Sequence, residues 1–177
     1  DFTKCGLNPA CESVSTDYSS IIDLFWHCNA ESLIGGTDMQ DCFYHWAISP
    51  LSRRWLGAKI DKTDSFNGIT TSFLFCPQGL AASPGINDLM VRVVTGTLDK
   101  VHGIKTFPCA DDLRHELVNQ EESFSKEKFT KYTDDTTSVG LVIHPCTKPD
   151  KYQFPCFRIE WLGFLVCTRD REVILLD

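Results

Sequence analysis

The sequence predicts an α+β chain, with N-terminal helices followed by an antiparallel, β-rich C-terminal part and the whole stapled by disulfides. Three observations carry that reading. Apolar residues recur at helical spacing in the first third, short β-branched segments bounded by Gly, Pro, Asn or Asp follow from about residue 54, and nine cysteines are spread along all 177 residues.

The first helix is expected within "STDYSSIIDLFWHCNAESLIGG", where Ile21, Leu24, Phe25 and Cys28 share one face; Thr16 supplies an N-cap and Gly35–Gly36 a stop. A second should open at "TDMQ", with Thr37 and Gln40 as a capping box, Met39, Cys42, Phe43 and Trp46 as its stripe, and Pro50 as its end. "WLGAKI", "ITTSFLFC" and "LMVRVVTG" read as strands, and "CPQGLAASPGIND" (76–88) as a loop or hinge. "ADDLRHELVNQ" reads as a short helix, with Asp111 and Asp112 in its first turn and Leu113 and Leu117 at i, i+4. "SFSKEKFTKYTDDTTS" is polar enough to be exposed. "SVGLVIH", "CFRIEWLGFLVC" and "EVILLD" read as strands, the last two joined by a turn at "TRDR". The organisation expected is one domain over 1–177, with room for two lobes: 1–76, helix-rich with strands, and 89–177, mainly β, joined by a loop near 77–88.

The cysteines are Cys5, Cys11, Cys28, Cys42, Cys76, Cys109, Cys146, Cys156 and Cys167. No C-x-x-C occurs, so the local clusters of zinc sites are missing, and no metal or other cofactor is expected. Dispersed cysteines point to disulfides made in an oxidising compartment, with eight of the nine paired. A chain that begins at Asp1 fits removal of a secretion signal. No apolar run approaches the ~18 residues of a membrane helix. There is also no N-x-S/T sequon.

Seventeen basic against 24 acidic residues leave a formal charge of −7, which argues against a phosphate-tracking groove and so against nucleic acid. The one basic cluster is "SRRW"; Arg53, Arg54 and Trp55 are the candidate surface for a protein partner.

The stretch "VHGIKTFPCADDLRHEL" (101–117) gathers His102, Cys109 and His115, the residue types of acid, base and nucleophile. Each motif it suggests is incomplete. His115–Glu116 lacks the second histidine of a zincin helix, because Leu117, Val118 and Asn119 follow. T2-type ribonucleases have Trp-Pro where Ile104–Lys105 stand here. Ser83 of "AASPG" is followed by Pro84, which has no N–H to give an oxyanion. No catalytic residue is therefore assigned, and His102, His115 and Cys109 stay as weak candidates. In size, cysteine density and lack of sequons the chain resembles the small secreted cysteine-rich effector or toxin proteins of fungi and other parasites. That resemblance implies an extracellular virulence protein that works by protein–protein interaction. The alternatives are a secreted hydrolase or nuclease using His102 and His115, and a reduced intracellular or viral Cys-His hydrolase.

Overall fold

A computed structural model describes residues 2–4, 6–59, 70–118 and 121–176. In chain order the elements are α1 (Leu7–Ala10), α2 (Ile21–His27), β1 (Leu33–Asp38), a 3-10 turn (Cys42–His45), α3 (Pro50–Arg53), β2 (Gly57–Lys59), β3 (Thr70–Ser72), α4 (Ser83–His102), β4 (Lys105–Cys109), β5 (Asp112–Leu117), α5 (Glu122–Ser138), β6 (Tyr152–Cys156), β7 (Arg158–Trp161), β8 (Phe164–Cys167) and β9 (Glu172–Leu175). The α+β class stands.

A four-stranded antiparallel sheet in the order β4-β5-β1-β6 forms the centre. Strand alternation sends its side chains into two cores. Leu33, Leu113 and Leu117 meet Val91 and Leu98 of α4 and Phe129 and Tyr132 of α5 on one face. Ile34 and Phe107 meet Leu24 of α2 and Ile159, Trp161 and Val166 of the three-stranded sheet β7-β8-β9 on the other. β1 and β5 are therefore covered on both sides, and β5 buries Arg114, His115 and Glu116 along with its leucines.

That double burial explains the reassigned elements. Leu113 and Leu117 lie on one face of a strand, with His115 between them, rather than on one face of a helix. Gly35 and Gly36 are strand residues rather than a helix stop. A Cβ on Gly35 would stand 2.7 Å from the Phe129 ring, and one on Gly36 would stand 3.0 Å from the Arg114 guanidinium. Thr37 caps nothing, because it lies in β1 with its hydroxyl against His115. α2 keeps the predicted stripe but starts later, capped reciprocally by Ser20 and Asp23.

α4 takes the place of a loop and a strand. Pro84 sits in its first turn, where a missing N–H costs nothing, and Gly103 ends it in a left-handed conformation with φ 58°. α5 forms from the segment expected to be polar and exposed. Its buried face uses hydroxyls, and those of Ser125 and Thr136 are satisfied by the carbonyls of Glu121 and Tyr132.

The expected staples are not formed: among the described residues no two cysteine sulfurs pair, and Cys5 lies outside them. Cys28, Cys42, Cys76 and Cys167 are buried as small apolar residues. Burial pushes the Cys42 thiol up to about 12, with Asp111 adding to the effect. The sulfur of Cys156 donates to the Arg158 carbonyl at 2.9 Å. Dispersed spacing was the only warrant for disulfides, and thiols packed into two cores satisfy it equally well. Among the described residues no helix is long and apolar enough to cross a membrane.

Candidate functional site

Three aspartates meet at one end of the central sheet. Asp38 closes β1 and lies directly across the ladder from Asp112, the first residue of β5. Cross-strand neighbours of this kind have Cβ atoms ~5 Å apart. Asp111 stands on the two-residue turn between β4 and β5, and its carbonyl accepts from the Met39 N–H at 2.8 Å. The turn is tight: Ala110 has φ 58°, the sign a type II′ hairpin needs at its first central residue, where glycine is the usual choice. On the other side of β1, the Asp38 N–H donates to the Lys151 carbonyl and the His144 N–H to the Asp38 carbonyl, both at 3.0 Å. The backbone around Asp38 is thus pinned from both flanks.

Each of two carboxylates has a cationic neighbour. Lys151 Nζ is 2.7 Å from Asp38 Oδ2, which raises the lysine's pKa, and His144 Nε2 is 3.5 Å from Oδ1. Asp112 pairs with the buried Arg114, whose other terminal nitrogen donates to the Glu160 carbonyl and whose guanidinium lies over the Trp161 ring. Burial raises the Asp112 pKa, Arg114 opposes that shift, and the negative charges of Asp38 and Asp111 add to it.

Two openings share the Asp38–Lys151 pair. A cleft of 460 Å³ is lined among others by Asp41, Phe43, Gln78 and Asp111, and a smaller one of 130 Å³ by Asp112, Arg114, Asp150 and Gln153. Among the described residues, no three acidic, histidine or cysteine side chains close around one point as a complete ion cage. Carboxylates, lysine and amide groups around an open cleft suit a phosphorylated ligand brought in with its own cation.

The residues singled out in the sequence lie elsewhere. His115 is fully buried between Thr37 and Thr106; burial, reinforced by Arg114, depresses its pKa to about 3, so the ring is neutral. His102 Nε2 is 2.9 Å from Asp135 at the other end of α4. Both rings pack edge-on against Tyr132, and neither lines the two clefts. Cys109 ends β4, and burial together with Asp112 and Asp111 pushes its thiol up, away from a reactive thiolate. Arg53, Arg54 and Trp55 do come together: Trp55 is 67% exposed with the Arg54 guanidinium 5.0 Å from its ring centre, and Arg53 Nε donates to the Ile48 carbonyl. The three aspartates and Lys151 were missed. The available signal was an Asp-Asp pair between "KTFPC" and "LRHEL", two five-residue runs of strand length.

No family model and no curated protein matches the chain. Solved structures do. The foamy viral protease-reverse transcriptase in complex with an RNA/DNA hybrid matches with a TM-score of 0.68 at 15% identity over 95% of this chain. The dRH form of that protein, in complex with double-stranded DNA, matches with a TM-score of 0.68 at 14% identity over 92%. The chain spans 20% and 26% of the lengths of those two proteins. The likeness is one of fold. With no sulfur–sulfur pair between described cysteines, it overturns the expectation of a disulfide-bonded effector or toxin that acts on a protein partner. The exclusion of nucleic acid falls with it, for a physical reason. A net charge of −7 is a sum over the chain and does not say where the acidic residues stand; Asp38, Asp41, Asp111, Asp112 and Asp150 all face the two clefts.

Proposed function

We propose that this chain is the catalytic part of a nucleic-acid polymerase, a nucleotidyl transferase similar to a reverse transcriptase. The observation that carries the reading is the grouping of Asp38, Asp112 and the turn residue Asp111 at one end of the central sheet, where Asp38 and Asp111 line the 460 Å³ cleft and Asp38 and Asp112 the adjoining 130 Å³ one. The fold shared with a reverse transcriptase solved on an RNA/DNA hybrid and on DNA supports it.

The donor set fits a hard divalent cation. It is all carboxylate oxygen, and the mutual repulsion that helps raise Asp112 is what such an ion would relieve. Asp38 and Asp111, which line one cleft, would hold it, with Asp112 alongside and substrate phosphates and water completing the shell as is usual for Mg²⁺. When bound, such an ion polarises phosphoryl oxygens and stabilises the attacking and leaving oxygens of an in-line displacement. The chain's own groups do the rest. Arg114, fixed by the Glu160 carbonyl and the Trp161 ring, orients the Asp112 carboxylate. Lys151 holds Asp38 and offers an ammonium to the same cleft for the negative charge of an incoming phosphate.

The test pairs binding with activity on the 177-residue chain. Mn²⁺ titration followed by electron paramagnetic resonance should show binding that Asp38→Asn and Asp111→Asn abolish. Extension of a primed RNA or DNA template should fall by a factor of about 10³ or more in the same variants. Asp111→Asn is the cleaner change, since Asp111 is exposed on a turn and its loss leaves no buried arginine unpaired. Unchanged Mn²⁺ affinity in both variants refutes the proposal.

A further inference from the structure

The Arg53–Arg54–Trp55 surface was not absorbed by the carboxylate site, and its place in the fold gives it a role. Residues 46–48 and 74–76 pair as an antiparallel ribbon: the Cys76 N–H donates to the Trp46 carbonyl, Ala47 bridges Phe75, and the Ile48 N–H donates to the Leu74 carbonyl. The ribbon resumes beyond α3, where the Phe73 N–H donates to the Leu56 carbonyl and β2 pairs with β3. Its base grows out of the cleft, for Tyr44 and Gln78 line the cleft and stand two residues from Trp46 and Cys76.

Charge is segregated here. The described residues 46–59 and 70–76 contain Arg53, Arg54 and Lys59 and no Asp or Glu, and with Asp61, Lys62 and Asp64 of the sequence between them the segment 46–76 carries four basic and two acidic residues, in a chain of net charge −7. The same ribbon exposes Leu51, Trp55, Leu74 and Phe75. Arg54 covers one face of the Trp55 indole at 5.0 Å, and two-thirds exposure leaves the other face to solvent. An exposed indole backed by the Arg54 guanidinium, with Arg53 two positions away and no ion pair to either arginine among the described residues, is the chemistry that takes a stacked base and its phosphate.

We infer that Arg53, Arg54 and Trp55 form a contact for single-stranded nucleic acid, which engages the strand that runs unpaired beyond the carboxylate cleft. The inference rests on the polymerase reading and deepens it by giving the unpaired strand a path. Leu56, beside Trp55, is level with Phe73, three residues along the ribbon from Cys76, or about 10 Å at ~3.4 Å per residue. A strand rising ~3.4 Å per nucleotide covers that distance in about three nucleotides.

The experiment measures fluorescence anisotropy of a labelled duplex that carries a single-stranded overhang of about six nucleotides, against the same duplex with blunt ends, on the 177-residue chain. The parent should bind the overhang duplex more tightly than the blunt one. Trp55→Ala and Arg53→Glu/Arg54→Glu should each remove that preference, an effect of about tenfold, with blunt binding unchanged. Trp55→Phe, which keeps a stacking ring, should retain most of it. An exposed side chain makes loss of fold in Trp55→Ala unexpected, and a thermal melt checks it. If Trp55→Ala prefers the overhang as the parent does, the surface belongs to another occupant, a protein or a second copy, and the inference is overturned. If the parent binds neither duplex, the polymerase reading itself fails and takes this surface with it.

Discussion

His115 offers a sharp test of the architecture beneath the carboxylates. Its ring is fully buried, and a connected set of hydroxyls fixes its tautomer. Thr106 Oγ1 donates to Asp99 Oδ1 at 2.6 Å, so it accepts from His115 Nδ1–H at 3.0 Å. His115 Nε2 then accepts from the Thr37 hydroxyl at 2.8 Å. Thr37 precedes Asp38, and the relay therefore ties the strand bearing the first carboxylate to α4. A neutral ring in the folded protein and a titrating ring in the unfolded chain make stability depend on pH. The folded pKa is about 3 against ~6.5 unfolded. The stability conferred by the neutral ring is complete above the unfolded value. It is lost as pH falls from there toward the folded one, because only the unfolded chain takes up the proton.

Between pH 7 and pH 5 this coupling amounts to roughly 2 kcal/mol, or about 4–8 °C in melting temperature for a domain of this size. The assay is urea unfolding at a series of pH values for the parent and for His115→Gln, which keeps a donor and an acceptor but cannot titrate. The variant should be less stable at pH 7 and nearly flat by comparison across the window, so the difference in slope is the readout. His45, also depressed by burial, is common to both proteins and cancels. Asp99 and Asp112, raised by burial, act in the opposite sense, since the folded state holds their protons more tightly as pH falls. Both are common to parent and variant, and the same subtraction removes their contribution. Identical slopes in parent and variant would refute a buried neutral His115.

Two further outcomes are expected. Gly85→Ala should destabilise by ~1–3 kcal/mol, because the new Cβ would stand 2.4 Å from the Val14 carbonyl oxygen, although glycine-to-alanine inside a helix ordinarily stabilises by up to ~1 kcal/mol; a melting temperature that rises would show that the 12–19 segment does not cross α4 there. Alkylation of unreduced, denatured protein should label Cys28, Cys42, Cys76 and Cys167, the four buried thiols, and recovery of these cysteines as unlabelled pairs would restore the disulfide reading.

How much of this was legible depended on whether the signal was local. The last of the C-terminal strands was: "EVILLD" contains β9, and "TRDR" is its turn, with Arg171 left-handed at φ 55°, whereas "SVGLVIH" starts on the last residue of α5 and forms no strand, only a bridge from Ile143 to Met39. "CFRIEWLGFLVC" proved to be two strands, since Leu162 and Gly163 (φ 50° and 79°) make a two-residue hairpin that an apolar run conceals. Tertiary partners decided the rest. Gly36 is small because Arg114 crosses it, and Arg114 is there to pair with Asp112. No spacing rule connects positions 36, 112 and 114. Helical and strand periods both fit a leucine pair at i, i+4, and the hydrogen bonds of β5 to β1 and β4 choose between them.

The same reasoning explains why the candidate site escaped a search built on histidine and cysteine. Those residues were conspicuous by rarity, but here they are core material: His115 works as a neutral spacer between hydroxyls, and Cys42 as a small apolar residue below the cleft. The aspartates were inconspicuous because an acidic pair before leucine reads as the start of a helix. What separates the two readings is the backbone at Ala110. A left-handed residue between Cys109 and Asp111 turns the chain back on itself and sets Asp111 at the apex and Asp112 across from Asp38, while a helical residue there would leave Asp112 no strand to face. One dihedral angle therefore makes the difference between a helix N-terminus, which two carboxylates would merely stabilise, and a hairpin, on which they crowd a third.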